Sequence, residues 1–192
     1  MRRTFLIGGA AALSNLILAP RAGAAPVGRR IALRHVATGA RFDGPWHDGR
    51  APDPAAMREL SAALADPGCE PPLPFDPDAI ALVWEVAART RLGALDIHSG
   101  YRTPQVNRRV QGAGDSLHTR ASAVDLGVPR GRLAAVTETA RLLGRGGIGV
   151  YARRSFVHLD TGPVRSWSDG AGTTPEEERL ARMARAWAAR PG

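Results

Sequence analysis

The sequence is poor in aromatic residues, in cysteine and in long apolar runs. Only 5% of its 192 residues are aromatic, and the single cysteine, Cys69, excludes an internal disulfide and an all-cysteine metal site. Lysine is absent, so all 26 basic residues are arginine, against 18 acidic residues. Because alanine, glycine and proline are also abundant, this bias is typical of coding composition, and no nucleic-acid partner is expected. The remaining composition, 44% hydrophobic and 23% charged, is typical of one soluble domain.

The first 24 residues are typical of an export signal. Residues 5–19 form a mostly apolar run that is shorter than the roughly 20 residues a membrane-spanning helix needs. A small-x-small cleavage site, Ala22-Gly23-Ala24, follows it. Arg2-Arg3 ahead of Phe5-Leu6 indicates the twin-arginine form of signal, with a plain secretory signal or an uncleaved anchor as alternatives. We therefore expect a periplasmic or cell-envelope protein whose mature form has no stable membrane span.

The rest of the chain predicts a single α+β domain over residues 25–170, with a small antiparallel sheet flanked by helices, and a C-terminal helical extension over residues 171–192. The extension begins at a capping box, Thr174-Pro175-Glu176-Glu177. Hydrophobic spacing and capping signals predict a hairpin over Arg30 to Arg50, helices from Asp53 to Ala65, from Asp78 to Leu92, after Thr103 and from Gly131 to Leu143, and strands over Ala94 to His98, Ala121 to Gly127, Gly147 to Tyr151 and Phe156 to Asp160.

Polar residues that break the local pattern fall at three places, as is typical of active sites. They are Asp96 to Pro104, Ser116 to Leu126 and Phe156 to Gly162. In a strand, alternate side chains share a face, so Asp125 lies beside small alanines, and His158 lies beside Asp160. This arrangement leaves room for a ligand to approach Asp125.

His118, Asp125 and His158 are candidate metal ligands. Two imidazoles and a carboxylate can hold a zinc ion and leave its fourth position open for water, whose pKa the ion lowers towards ~7. A histidine seven residues before an aspartate also occurs by chance, and a strand histidine that is only hydrogen-bonded in the core is the alternative interpretation.

Three motifs occur in a specific order and carry a family resemblance. They are Ser99–Pro104 (SGYRTP), Ser116-x-His118 followed by Ala123-x-Asp125, and Phe156–Pro163 (FVHLDTGP). Together they resemble the zinc D-Ala-D-Ala metallopeptidase family and, within it, the murein endopeptidase K branch. The resemblance covers most of the chain, from about Ile31 to Trp167.

This resemblance implies one zinc ion on His118, Asp125 and His158, in the fold shared with Hedgehog-type domains. It also implies that Arg102 holds a substrate carboxylate or stabilises the developing oxyanion, a role that suits the planar fork of a guanidinium. A structural salt bridge is the alternative for Arg102 in a chain this rich in arginine. Tyr101 and Ser116, in the same motifs, are expected to contact substrate.

The sequence departs from the family pattern at two positions. Ala121 stands where relatives usually have glycine, and Ser155 stands where several relatives carry the acidic general base. Asp160 is the expected substitute for that base, because it shares a strand face with His158. A purely orienting role for Asp160 is the alternative. His98 is a further candidate for base or transition-state donor, with a structural role as its alternative.

The sequence thus predicts an exported zinc peptidase that hydrolyses peptide bonds in peptidoglycan stem peptides or cross-links. The second hypothesis is a non-catalytic peptidoglycan-binding module that keeps the fold and the metal site. The missing acid at position 155 favours the module, whereas retention of all three ligands and of Arg102 favours the enzyme.

Overall fold

The computed structural model describes residues 28–169 as one mixed α/β domain. The predicted signal peptide, residues 1–24, and the predicted helix from Thr174 lie outside the described residues. The strands are β1 Arg29–His35, β2 Arg41–His47, β3 Leu95–Ser99, β4 Ala123–Gly127, β5 Gly147–Tyr151, β6 Phe156–Asp160 and β7 Arg165–Ser168. The α-helices are α1 Pro54–Ala63, α2 Pro77–Thr90, α3 Pro104–Arg109 and α4 Leu133–Leu143, with short 3₁₀ helices at Leu117–Arg120, Arg130–Arg132 and Ala152–Arg154.

Capping explains where the helices begin. Asp53, Asp76 and Thr103 each accept a hydrogen bond from a backbone amide of the first turn, and a proline follows each of them. Proline suits the first helical position because its fixed φ is helical and its missing amide has no partner there in any case. Helix α4 ends at Gly144, whose left-handed backbone (φ 62°) favours glycine.

One seven-stranded sheet, in the order β2-β1-β3-β4-β6-β5-β7, runs through the domain. The predicted sheet was small and antiparallel; the observed sheet is larger, and β1–β3 and β5–β7 pair in parallel. Local sequence patterns do not reveal these pairings. Strand β1 pairs with β3, which is distant in sequence, and β7 is a mostly exposed, polar strand. The predicted α+β class is confirmed.

Helices α2 and α4 pack on each other and against the central strands β4 and β6. Val124, Leu126, Val157 and Leu159 are fully buried on these two strands. Their alternate neighbours point to the opposite face of the sheet, where β4 and β6 pair so that Asp125 lies directly across from His158. The register of two central strands therefore places two candidate ligands side by side. No helix within residues 28–169 has the length and apolar character needed to cross a bilayer.

Candidate metal centre and cleft

Three side chains far apart in sequence meet on the open face of β4 and β6. The His118 Nε2 atom lies 3.2 Å from both Asp125 Oδ1 and His158 Nδ1, and His158 Nδ1 lies 2.9 Å from Asp125 Oδ1. His118 reaches the strands from the 3₁₀ helix Leu117–Arg120, and all three residues are buried. The structure therefore brings together the three ligands that the sequence predicts.

The outer contacts of the two imidazoles fix where their protons lie. His118 Nδ1 is 2.6 Å from the Gly100 carbonyl oxygen, and His158 Nε2 is 2.9 Å from Asp160 Oδ2. A carbonyl and an ionised carboxylate can only accept, so each ring must donate from its outer nitrogen. In the neutral rings, the inner nitrogens therefore present lone pairs to each other and to Asp125.

With both rings neutral, three acceptors face one point, and a cation bound there would remove their mutual repulsion. Around a tetrahedral ion with bonds of about 2.0–2.1 Å, neighbouring ligand atoms lie about 3.3 Å apart. The observed separations of 2.9–3.2 Å are close to this value. Two imidazoles and one carboxylate are also a donor set that zinc accepts. The residues fit a zinc ion with an open fourth position.

Asp125 is held by a partly buried chain of polar side chains. Arg102 Nη2 donates to Asp125 Oδ2 at 3.1 Å, and Arg102 Nε donates to Asp66 Oδ2 at the same distance. Asp66 Oδ1 accepts in turn from His35 Nε2 at 3.1 Å and from the Gly100 amide at 2.9 Å. Asp66 thus connects the Arg102 guanidinium to the core. Sequence patterns do not identify Asp66 as a site residue, because an aspartate before Pro67-Gly68 is typical of a turn.

Asp160 is fully buried, and both its oxygens are occupied. Oδ1 accepts from the amides of Gly147 and Gly162, at 2.9 and 2.8 Å, and from Arg165 Nη1 at 3.1 Å. Oδ2 accepts from His158 Nε2 and from Arg165 Nη2, the latter at 2.7 Å. Arg165 is a second functional residue that sequence reasoning missed, since one arginine among so many carries no signal.

Electrostatics keep the carboxylates ionised. Burial raises the pKa of Asp125, but the two neighbouring histidines outweigh it and hold that pKa far below its usual range. Burial also raises the pKa of Asp160, yet hydrogen bonds from His158, the backbone and Arg165 lower it well below the usual range. For His158, burial lowers the pKa, but its contacts with Asp125 and Asp160 raise it above the ordinary value.

A cleft of about 470 Å³ opens over this cluster. One of its walls is formed by residues 110–117, after α3, and another by Tyr151, Arg154 and Phe156. Ser116 lines the cleft, as do all three candidate ligands, Arg102, Arg165 and Trp167. Among the described residues, the lining also includes one acidic side chain besides Asp125, the exposed Asp115.

The structure places two predicted site residues away from this cleft. Tyr101 is 6% exposed and packs in the hydrophobic core, while its backbone amide donates to the Leu64 carbonyl. His98 is exposed, and its ring lies over Gly127 and 5.7 Å from the ring of Phe156. A β-bulge between Ile97 and Ser99 shifts this part of β3 relative to β4. Neither side chain is part of the cleft lining in the described structure.

The aromatic side of the cleft depends on a glycine. The Trp167 ring lies 5.2 Å from that of His158, and its Nε1 donates to the Tyr151 hydroxyl at 3.0 Å. A Cβ at Gly149 would lie 2.6 Å from the Trp167 ring, so only glycine allows the indole to lie on β5. Trp167 thereby covers the side of His158.

Comparisons with known proteins agree with this geometry. The chain is 30% identical over 168 residues to a probable peptidoglycan L,D-endopeptidase MepK of Haemophilus influenzae, covering 83% of this chain and 88% of that protein. It is 29% identical over 177 residues to the peptidoglycan L,D-endopeptidase MepK of Escherichia coli K12, covering 86% of this chain and 96% of that one. A family model described as peptidoglycan L,D-endopeptidase MepK matches residues 23–167, more than half of the chain. The protein therefore belongs to the MepK family of peptidases.

Proposed function

We propose that this chain is a zinc-dependent peptidase of the cell envelope that cleaves L,D peptide bonds in peptidoglycan cross-links. The observation that carries the zinc site is the convergence of His118 Nε2, Asp125 Oδ1 and His158 Nδ1 within 3.2 Å of one another. The bond class is supported by the names of the relatives, both peptidoglycan L,D-endopeptidases.

His118, Asp125 and His158 would hold the ion. A bound zinc ion supplies Lewis-acid polarisation of a carbonyl and lowers the pKa of a coordinated water towards about 7. The chain contributes orientation: the Gly100 carbonyl fixes the His118 ring, Arg102 fixes the Asp125 carboxylate, and Asp160 fixes the His158 ring. Partners of this kind commonly change metal affinity by about 10–100-fold when they are removed.

Arg102 has a second role in this proposal. Its Nε and Nη2 are used by Asp66 and Asp125, and no residue in the described part of the chain accepts from its Nη1. The side chain lines the cleft, and both carboxylates that hold it are buried or nearly so. The remaining guanidinium donors can therefore hydrogen-bond the substrate carbonyl oxygen or the negative charge that develops on it.

Asp160 is proposed as a positioning residue rather than as the proton carrier. All its hydrogen-bonding capacity is directed to five donors, and its pKa lies far below the neutral range in which a general base works best. Asp115 lines the cleft and forms no ion pair within the described residues, so it is a better-placed candidate for proton transfer than His98, whose side chain lies outside the cleft lining.

Metal content and product analysis test the function. Purified protein should carry close to one zinc per chain, and His118→Ala should lose it. Incubation with defined cross-linked muropeptides, followed by mass spectrometry, should show cleavage at an L,D peptide bond. Cleavage of D,D bonds instead, or a zinc-loaded protein with no hydrolysis across neutral pH, would refute the proposal.

The proton carrier is identified by comparing three variants at saturating zinc: Asp160→Asn, His98→Gln and Asp115→Asn. The carrier is the residue whose replacement lowers kcat by about 10²–10⁴ while zinc content is unchanged. If none does so, the carrier lies outside this set.

A non-catalytic peptidoglycan-binding module is the second candidate. It is favoured by Ser155, which caps the 3₁₀ helix Ala152–Arg154 in place of an acid, and by the complete occupancy of the Asp160 carboxylate. Such a module would bind zinc and sediment with isolated sacculi, but it would release no new amino groups from them.

We also propose that residues 1–24 direct export through the twin-arginine route and that residues 171–192 form a helical extension outside the peptidase domain. Changing Arg2 and Arg3 together to lysine should retain a fused reporter inside the cell, whereas Arg21→Lys should not. A chain that ends at residue 170 should keep its zinc and its hydrolytic activity.

A further inference from the structure

Arg154 lies at the rim of the cleft on a pre-formed aromatic support. It ends the 3₁₀ helix Ala152–Arg154, and Ser155, with a left-handed backbone (φ 54°), turns the chain from there into β6. The rings of Tyr151 and Phe156 stack beneath it, with centroids 4.4 Å apart and planes inclined by 17°. The Arg154 guanidinium carbon lies 4.9 Å and 5.0 Å from these two ring centroids.

The other two arginines of the cleft already have carboxylate partners. Arg102 is paired with Asp66 and Asp125, and Arg165 is paired with Asp160 through both terminal nitrogens. By contrast, no carboxylate within residues 28–169 forms an ion pair with Arg154, although Asp115 lines the same cleft. Arg154 is therefore the arginine of the cleft lining that forms no ion pair with a carboxylate of the described residues.

Stacking suits this guanidinium to bind an anion. An arginine over aromatic rings keeps its in-plane N–H groups free, because the rings contact its face and leave its edges open. A planar fork of donors matches a carboxylate in a bidentate arrangement. The aromatic contacts also restrict the side chain before a ligand arrives, which reduces the entropy lost on binding.

The position of the Arg154 guanidinium relative to the candidate metal ligands indicates which part of a bound peptide it would contact. Phe156 and His158 are two residues apart on the same face of β6, a separation of about 7 Å along a strand. That length corresponds to one or two residues of an extended peptide bound with its scissile bond at the metal centre. A substrate with a free carboxylate one or two residues from that bond would meet Arg154.

We propose that Arg154, supported by Tyr151 and Phe156, forms a subsite for a free α-carboxylate of the substrate and makes the enzyme select acidic over amidated peptides. This inference rests on the proposed function, since it assigns part of the same cleft to substrate recognition. Cross-linked stem peptides supply such groups, because each diaminopimelate residue has a carboxylate that the cross-link does not use.

Two synthetic peptides test the subsite. Both contain the scissile L,D bond, and they differ only in a free carboxylate or a carboxamide on the adjacent diaminopimelate. Binding is followed by the change in tryptophan fluorescence, since Trp167 lines the cleft, and cleavage by mass spectrometry, for the zinc-loaded wild type, Arg154→Ala, Arg154→Lys and Arg153→Ala. Arg153 is the matched control, because it is an equally exposed neighbour that does not line the cleft.

The wild type should prefer the acid by about tenfold or more, mainly through KM, since hydrogen bonds between charged groups commonly contribute that much. Arg154→Ala should bind and cleave both peptides equally, Arg154→Lys should keep part of the preference, and Arg153→Ala should keep all of it. Zinc content and thermal unfolding should be unchanged in every variant.

The outcomes separate this inference from the proposed function. Cleavage by the wild type without preference for the acid, or a preference that survives Arg154→Ala, overturns the subsite alone. Binding with the Arg154-dependent preference but without cleavage overturns the peptidase and leaves the subsite supported. Absence of both binding and cleavage overturns both.

Discussion

Replacing Asp160 by asparagine separates the two roles open to this residue. The substitution keeps the shape of the side chain and exchanges one oxygen for an NH₂ group. Oδ1 accepts three hydrogen bonds and Oδ2 accepts two, so the amide oxygen should take the Oδ1 position near Gly147 and Gly162. The new NH₂ group would then face the Nε2–H group of His158 and the Arg165 guanidinium. All three groups are donors, so neither hydrogen bond could form.

The loss of stability and of zinc affinity expected for Asp160→Asn follows from these contacts. Hydrogen bonds to charged groups contribute about 1.5–3 kcal/mol each, and breaking a fully buried ion pair costs about 3–5 kcal/mol. The Arg165 side chain is 44% exposed, so water can compensate much of its lost partner. We therefore expect the metal-free Asp160→Asn variant to lose about 2–4 kcal/mol of unfolding free energy. Because the His158 ring loses its outer acceptor, zinc affinity should fall by about 10–100-fold.

Urea unfolding, zinc titration against a competing chelator and kcat at saturating zinc measure the three consequences. For a positioning residue, kcat should stay within about tenfold of the wild type once the site is filled, whereas loss of a general base lowers it by about 10²–10⁴. Asp43→Asn is the control, since Asp43 forms only an exposed ion pair with Arg30. Wild-type stability and zinc affinity combined with a hundredfold fall in kcat would refute the reasoning.

Three further predictions concern the residues around the metal ligands. Asp66→Asn removes the charge that holds Arg102 Nε and should lower kcat/KM by about tenfold while zinc stays bound. Gly149→Ala places a Cβ 2.6 Å from the Trp167 ring, so the indole must move and the tryptophan emission should shift. In chelator, the raised pKa of His158 stabilises the fold at pH values below about 6.5, and this contribution is lost as the pH rises through the higher folded value. With zinc bound, stability should instead increase over the same pH range, because protons compete with the metal.

Each of these three predictions has its own control. Asp96→Asn removes an exposed partner of Arg34 and should leave kcat/KM unchanged; an equal loss in both aspartate variants would contradict the role of Asp66. Gly131→Ala meets no atom within 4 Å and should leave the emission spectrum unaltered. Identical pH trends with and without zinc would show that His158 does not bind the metal.

Local patterns predicted most of the fold. Capping aspartates, prolines and hydrophobic spacing predicted α1, α2 and α4 to within a few residues of their observed bounds, and β5 and β6 at those bounds. Strand β7 was missed because Arg165–Ser168 is mostly exposed and has no apolar alternation. Its pairing with β5 is non-local, and no pattern within one segment of sequence contains it.

The sequence predicted the candidate metal ligands but not the side chains around them. Residue types and strand faces suggested His118, Asp125 and His158, the motifs supported them, and the strand register explains why two of them lie side by side. Asp66 lies 36 residues before its partner Arg102, so only the folded chain shows that they are connected. Tyr101 was expected in the substrate site because of its neighbours in sequence, yet its side chain belongs to the core.

The departure from the family pattern at Ala121 also has a structural explanation. Its φ of 52° is left-handed, which costs an alanine about 1 kcal/mol and explains why glycine suits this position. The Ala121 methyl group is fully buried in the core cluster, however, and burial of a methyl group recovers about 0.8 kcal/mol. The two effects nearly cancel, so alanine is tolerated at this position.

The candidate metal ligands and the proposed substrate subsite lie on different parts of the fold. Two of the three ligands lie on paired central strands, and each ligand is oriented by a partner from a different segment: the Gly100 carbonyl, Arg102 and Asp160. Much of the cleft wall, residues 110–116 and Arg154, belongs instead to connections between the strands and α-helices, whereas Tyr151 and Phe156 end and begin β5 and β6. Substitutions in these walls can change which peptide binds without disturbing the strand register that assembles the ligands. Arg154 lies on such a wall, and its replacement should therefore alter substrate preference while leaving the zinc affinity as it is.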